Sequence, residues 1–131
     1  MKRATTYFLM IVFVLSLASL ASAEKKVDWD TFSQNLIVAL KTQNTGLQVS
    51  AMQLVIQYAD KLKMDEAAKD LVKLYRKNKD ERVRLMALVT INSIDNDWAS
   101  SVVKRDFAYE KSTRIKKAMA AIIAKSGKSV S

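Results

Sequence analysis

From Leu47 to Ser126 the chain contains neither glycine nor proline; proline is absent throughout, and the two glycines are Gly46 and Gly127. A strand protein needs turn residues at every hairpin, so a chain this poor in breakers is restricted to helices joined by short polar turns. The apolar spacing divides it into six predicted helices. Trp29, Phe32, Leu36, Ile37 and Leu40 recur at steps of three and four behind a capping Asp28 or Asp30. A second helix is predicted from about Leu47 to Leu62, with Leu47, Ala51, Leu54, Val55 and Tyr58 on one side. Asp65 is expected to cap a third, striped by Ala68, Leu71, Val72 and Tyr75, and Asp80 a fourth, striped by Val83, Ala87, Ile91 and Ile94. Asp97 is expected to cap a fifth with Trp98, Val102 and Val103 inward, and Ser112 a sixth with Ile115, Met119, Ile122 and Ile123. Each helix carries one apolar stripe, which it must bury on another helix. Met52, Met86 and Met119 read as core filler, and Tyr58 and Tyr75 as core residues with hydroxyls at its edge.

Length and composition set the chemistry. At 131 residues the chain makes one domain, and 50% apolar residues are enough for a core without covalent staples. It contains no cysteine and no histidine, which removes disulfides, thiolate metal sites, thiol nucleophiles and the usual general base near neutral pH. No phosphate loop, nucleophile elbow or calcium-loop spacing is present. The close carboxylate pairs Asp28/Asp30, Asp65/Glu66, Asp80/Glu81 and Asp95/Asp97 all fall at expected helix starts. Negative charge there offsets the helix dipole, so capping accounts for them. No catalytic, cofactor-binding or metal residue is assigned, and the expectation is a protein that is not an enzyme and carries no cofactor.

Residues 1–23 read as a secretory signal: Lys2 and Arg3, an apolar run from Tyr7 to Leu17, then Ala21-Ser22-Ala23 as a small-x-small cleavage site. The alternative is an uncleaved anchor, because Ala4 to Ala23 is uncharged and nearly long enough to span a bilayer. Cleavage near Ala23 leaves residues 24–131 as a helical domain with a short polar tail and lowers the formal charge from +9 to +7. Without a cysteine for lipidation or an Asn-x-Ser/Thr site, the expectation is a bacterial periplasmic or secreted protein.

The second, fourth and sixth helices resemble one another. Gly46-Leu47-Gln48-Val49-Ser50-Ala51 aligns with Arg82-Val83-Arg84-Leu85-Met86-Ala87 and with Arg114-Ile115-Lys116-Lys117-Ala118-Met119, at offsets of 36 and 32 residues. Val55, Ile91 and Ile123 then coincide. Asp80-Glu81-Arg82-Val83-Arg84-Leu85-Met86-Ala87-Leu88 resembles the second helix of a HEAT repeat, and the resemblance extends over roughly residues 30–125. It departs at Gln48 and Lys116, where arginine is usual, and in lacking the first-helix proline. The resemblance implies an all-α fold, a short α-solenoid of about three antiparallel helix pairs, in which stacked pairs share one core.

A HEAT-like module implies binding through a helical surface. The ladder Gln48, Arg84 and Lys116 has two readings: a structural row pairing with acids of neighbouring repeats, or a basic strip for an acidic partner segment. On the last helix Lys111, Arg114, Lys117, Lys125 and Lys128 share one side. That side is either a solvated cap for the end of the stack or a basic face for an acidic protein, with anionic lipid or polymer as the alternative ligand. The candidate partner-binding residues are therefore Arg84, Lys116, Lys111, Arg114, Lys117 and Lys125. Nucleic acid is not expected, since no base-stacking aromatic lies among them; self-association stays open. Trp29 and Trp98 are expected to cover core ends, the alternative being an exposed anchor for a partner.

Overall fold

A computed structural model describes residues 26–128; the expected signal segment and the last three residues of the tail lie outside the described residues. Among the described residues six α-helices follow one another: α1 (Trp29–Lys41), α2 (Thr45–Gln57), α3 (Ala68–Lys77), α4 (Glu81–Ile94), α5 (Asp97–Asp106) and α6 (Thr113–Lys128). Single 3-10 turns, Asp65–Ala67 and Phe107–Tyr109, precede α3 and follow α5. There is no strand among the described residues, and none of their helices is long and apolar enough to cross a membrane. The all-α expectation holds.

Side-chain caps start the helices. Asp28 accepts from the Thr31 amide, Asn44 from Leu47, Asp80 from Arg82, and Ser112 Oγ from Ile115. Two expected caps differ. Asn96 caps α5 by accepting from the Ala99 amide, leaving Asp97 in the first turn. Asp65 opens the 3-10 turn, and α3 begins behind it without a side-chain cap. The second helix is also shorter than expected. Tyr58 leaves the helical region at φ −117, ψ 23, and its carbonyl then accepts from Lys61 and Leu62 in a turn.

Consecutive helices pair as α1 with α2, α3 with α4, and α5 with α6. Across the pairs, α4 packs on α2 and α6, while α3 packs on α1 and α5. Ala51, Ala87 and Met119, equivalent in the repeat, are all buried, and so are Val55 and Ile91. A second series, which the sequence pattern had not revealed, runs through the odd-numbered helices: Ser33, Ala68 and Ala99; Leu36, Leu71 and Val102; Ile37, Val72 and Val103. All nine are buried, at offsets of 35 and 31 residues.

Two residues expected inside are outside. Leu47 is 45% exposed although its equivalents Val83 and Ile115 are buried. Helices α4 and α6 each lie against the preceding even-numbered helix, and α2 has no such neighbour among the described residues. Gln48 turns inward instead, its Nε2 donating to the Leu40 and Thr42 carbonyls at 3.3 and 2.6 Å. Trp98 is also 45% exposed. The interior place belongs to Ala99, equivalent to Ser33 and Ala68, where a small residue lets helices approach and an indole has no room.

Candidate binding surface

The turns inside the three pairs adjoin along one edge of the molecule, tied by side chains from successive pairs. Arg84 on α4 donates from Nε to the Tyr75 carbonyl at 2.7 Å, which satisfies an orphan acceptor near the end of α3. Its two terminal nitrogens meet the Glu110 carboxylate, Nη2 at 2.5 Å and Nη1 at 3.5 Å. Arg76 forks onto Asp106 at 2.7 and 2.9 Å, and the Tyr75 hydroxyl donates to the same carboxylate. Ser112 donates to Glu81 at 2.9 Å. Asp80 holds Arg82. The carboxylates of Asp80, Glu81, Asp106 and Glu110 are therefore each bonded within the chain.

These contacts set the protonation of the groups that make them. Hydrogen bonds from Arg76 hold the Asp106 carboxyl below the usual carboxylate range against a smaller opposing effect of burial. Burial pushes the Glu110 carboxyl up; the Arg84 hydrogen bond and the Ser112 amide together outweigh it, so the net shift is downward. Burial, reinforced by Asp106, drives the Tyr75 phenol well above its ordinary value. At neutral pH both carboxylates are charged and both arginines are neutralised by them.

The six residues singled out from the sequence divide accordingly. Arg84 is committed to Glu110 and the Tyr75 carbonyl. Lys116 lies over the Phe107 ring at 5.3 Å, a cation–π contact. Lys125 sits on the opposite edge, donating to the Asn92 carbonyl at 2.7 Å and facing Asp95 at 3.8 Å, so it caps the end of α4. Lys111, Arg114 and Lys117 are exposed and form no ion pair among the described residues. The side chain of Lys128 lies outside the described residues. The ladder Gln48, Arg84 and Lys116 thus reaches back in each pair toward the end of the preceding odd-numbered helix, at Leu40, Tyr75 and Phe107.

Sequence reading missed the cations beside them. Lys41, Lys73, Lys77, Lys79, Lys104 and Arg105 lie exposed on or next to the same edge, again without an ion pair among the described residues. Lys41, Lys73 and Lys77 share a half-open cleft of about 400 Å³ between the α1–α2 turn and α3. One aromatic residue adds to the surface, Tyr109, 84% exposed between Arg105 and Lys111 in sequence; Trp98, also exposed, lies at the other end of α5 beside Asp97. A signal for the missed cations was present, namely basic residues in the last turn of every odd-numbered helix.

The opposite edge, where one pair passes to the next, is acidic. Asp28, Asp30, Asp60, Asp65, Glu66, Asp95 and Asp97 are exposed there. Its contacts are weaker: Lys63 to Asp30 at 3.0 Å with both side chains largely in water, and Asn96 donating to Asp65 at 2.8 Å. Trp29 is not an exposed anchor. It is half-buried against Phe32 and Tyr58, with ring centroids 6.0 and 5.6 Å away and Lys61 over its face. Among the described residues no three His, Cys, Asp or Glu side chains could hold a metal ion. What the basic edge can do chemically is attract and hydrogen-bond anions. Comparison with family models, curated proteins and solved structures finds no match to this chain.

Proposed function

We propose that the chain is an exported, non-catalytic binding module of the cell envelope, a short HEAT-like α-solenoid that holds an acidic protein along its basic edge. The stacking is supported by equivalent positions buried in successive pairs and by side-chain bonds joining residues about one repeat apart, such as Asn96 to Asp65 and Tyr75 to Asp106. The binding reading is carried by one observation. Helix α6 has no acidic residue in its first turn and instead opens with Arg114, Lys116 and Lys117. Cations at a helix N-terminus oppose the macrodipole and cost about 0.3–1 kcal/mol each. Lys116 is offset by the Phe107 ring, whereas Arg114 and Lys117 have no internal partner that explains them. A residue kept against stability is explained by what it does at the surface.

The test places a photo-crosslinking residue at position 109, on the basic edge, and at Val38, exposed on α1. Position 109 should capture an acidic protein in the native envelope, and Arg114→Glu with Lys117→Glu should abolish the capture. Equal capture from position 38, or capture indifferent to the charge reversal, overturns the reading. The second reading, an anionic lipid surface, draws on exposed Tyr109 beside Arg105 and Lys111, since interfacial tyrosines accompany cations at bilayers. It predicts co-sedimentation with anionic vesicles that is lost at high salt.

A further inference from the structure

We propose that the cleft between the α1–α2 turn and α3 is a seat for a compact oxyanion, a carboxylate or phosphate, supplied from outside the chain. This deepens the reading above and rests on it for the charge of the partner.

The chain contains its own template. At the second junction Arg76 and Arg84 are bridged by the carboxylates of Asp106 and Glu110, which the third pair supplies. One repeat earlier the equivalents of Arg76 and Arg84 are Lys41 and Gln48, and both line the cleft. The residues standing where Asp106 and Glu110 would be are Tyr75 and Asn78; Asn78 Oδ1 accepts from the Asp80 amide as Glu110 accepts from that of Ser112. The first junction therefore keeps a cation, Lys41, and lacks the internal carboxylates.

The lining suits the vacancy in the template. Leu40 and Leu74 are buried beneath it, and Lys73 and Lys77, one turn apart on α3, face Lys41 across it. Like charges four residues apart on a helix repel, and Asp70 is the one carboxylate lining the space. Thr42 and Thr45 contribute hydroxyls. The first turn of α2 opens beside them with amides that have no helical partner. Gln48 is 9% exposed, and its Nε2 is spent on the Leu40 and Thr42 carbonyls, which fixes the turn that carries Lys41 and Thr42. At about 400 Å³ the cleft has the size of a small-ligand site. No aromatic residue lines it, so it offers nothing for a nucleobase to stack on.

The test is an NMR titration of the full chain with a hexaglutamate peptide and, separately, inorganic phosphate. Saturable shifts should appear at residues 41–48 and 73–78. Lys73→Gln with Lys77→Gln should weaken binding about tenfold or more, as expected for loss of charge-assisted hydrogen bonds. Asp70→Asn should tighten it, a gain that a purely structural role for Asp70 would not produce. Tighter binding of the peptide identifies a protein carboxylate as the ligand, and tighter binding of phosphate identifies a phosphate source; either supports the seat. Phosphate binding without peptide binding keeps the seat and removes the acidic-protein reading. Peptide shifts confined to α6, or no saturable shift in the cleft with either probe, overturn the seat.

Discussion

The two edges of the molecule obey the helix dipole to different degrees. On the acidic edge, α1 and α5 begin with Asp30 and Asp97 and the chain enters α3 through Asp65 and Glu66, as the dipole favours; α2 and α4 end there without a basic residue in their last turns. On the basic edge, α1, α3 and α5 end with lysine or arginine, again as the dipole favours, but α6 begins with cations against it. The odd-numbered helices are therefore charged for stability, and so is the start of α4, with its Asp80 cap and Glu81, whereas α6 departs from what the dipole asks. Under the proposed function that departure places binding on the basic edge. Its ties are also the more sheltered: the Arg84–Glu110 side chains are 22% and 12% exposed, whereas those of Lys63 and Asp30 are 80% and 71% exposed.

The largest effect would dissolve both edges at once. Ala87 is fully buried on α4, the helix that packs on α2, α3 and α6. Ala87→Asp places an unpaired charge there and should unfold the domain, a loss of about 4 kcal/mol or more, visible as the absence of a cooperative melt. A parent-like melting temperature would separate the edges into independent structures. Next, Arg84→Ala strands the Glu110 carboxylate in a sheltered site and should cost about 3 kcal/mol by urea denaturation. Lys63→Ala, removing the exposed tie of the other edge, should cost at most about 0.5 kcal/mol. Comparable losses from the two variants would erase the difference between the edges.

Acid should find the same asymmetry. Asp106 and Glu110 have folded-state values below their unfolded ones, so the stability they confer is present above about pH 4–5 and is lost as pH falls through the folded values. Urea midpoints should therefore drop between pH 7 and pH 3, and the drop should shrink when Arg76 and Arg84 are both replaced by glutamine. The smallest effect has the opposite sign. Arg114→Glu and Lys117→Glu should each leave stability unchanged or raise it by about 0.3–1 kcal/mol, read as a small upward shift in melting temperature. Destabilisation by either would give these cations a structural role and remove the contrast.

Much of this fold was legible in the sequence. Helix starts could be read because Asp28, Asn44, Asp80 and Ser112 cap by their own local chemistry. Equivalence of the even-numbered helices could be read because Ala51, Ala87 and Met119 sit in similar surroundings of charge and aliphatics. The odd-numbered series was hidden, since its first member is a serine, an alanine and an alanine in turn, too small and too varied to make a hydropathy signal. Trp98 misled for a related reason: hydropathy favours burying an indole, and only the approach of neighbouring helices decides otherwise. The binding surface was half legible. Lys111, Arg114 and Lys117 stood out as a cluster, but nothing local shows that Arg84 finds Glu110 across 26 residues or that Lys125 turns to the far edge.

One joint has a mechanical consequence. Helices α4 and α5 are separated by Asp95 and Asn96 alone, and Asp95 is held at φ 56, a conformation few side chains other than Asn and Asp tolerate. The link between α2 and the turn before α3, residues 58–64, is longer and is held by the Lys63 amide donating to Ser33 Oγ and by buried Met64. The angle between α4 and α5 is therefore set by the backbone of Asp95 itself, so a residue there that resists positive φ would be felt in the seating of the whole third pair on the second.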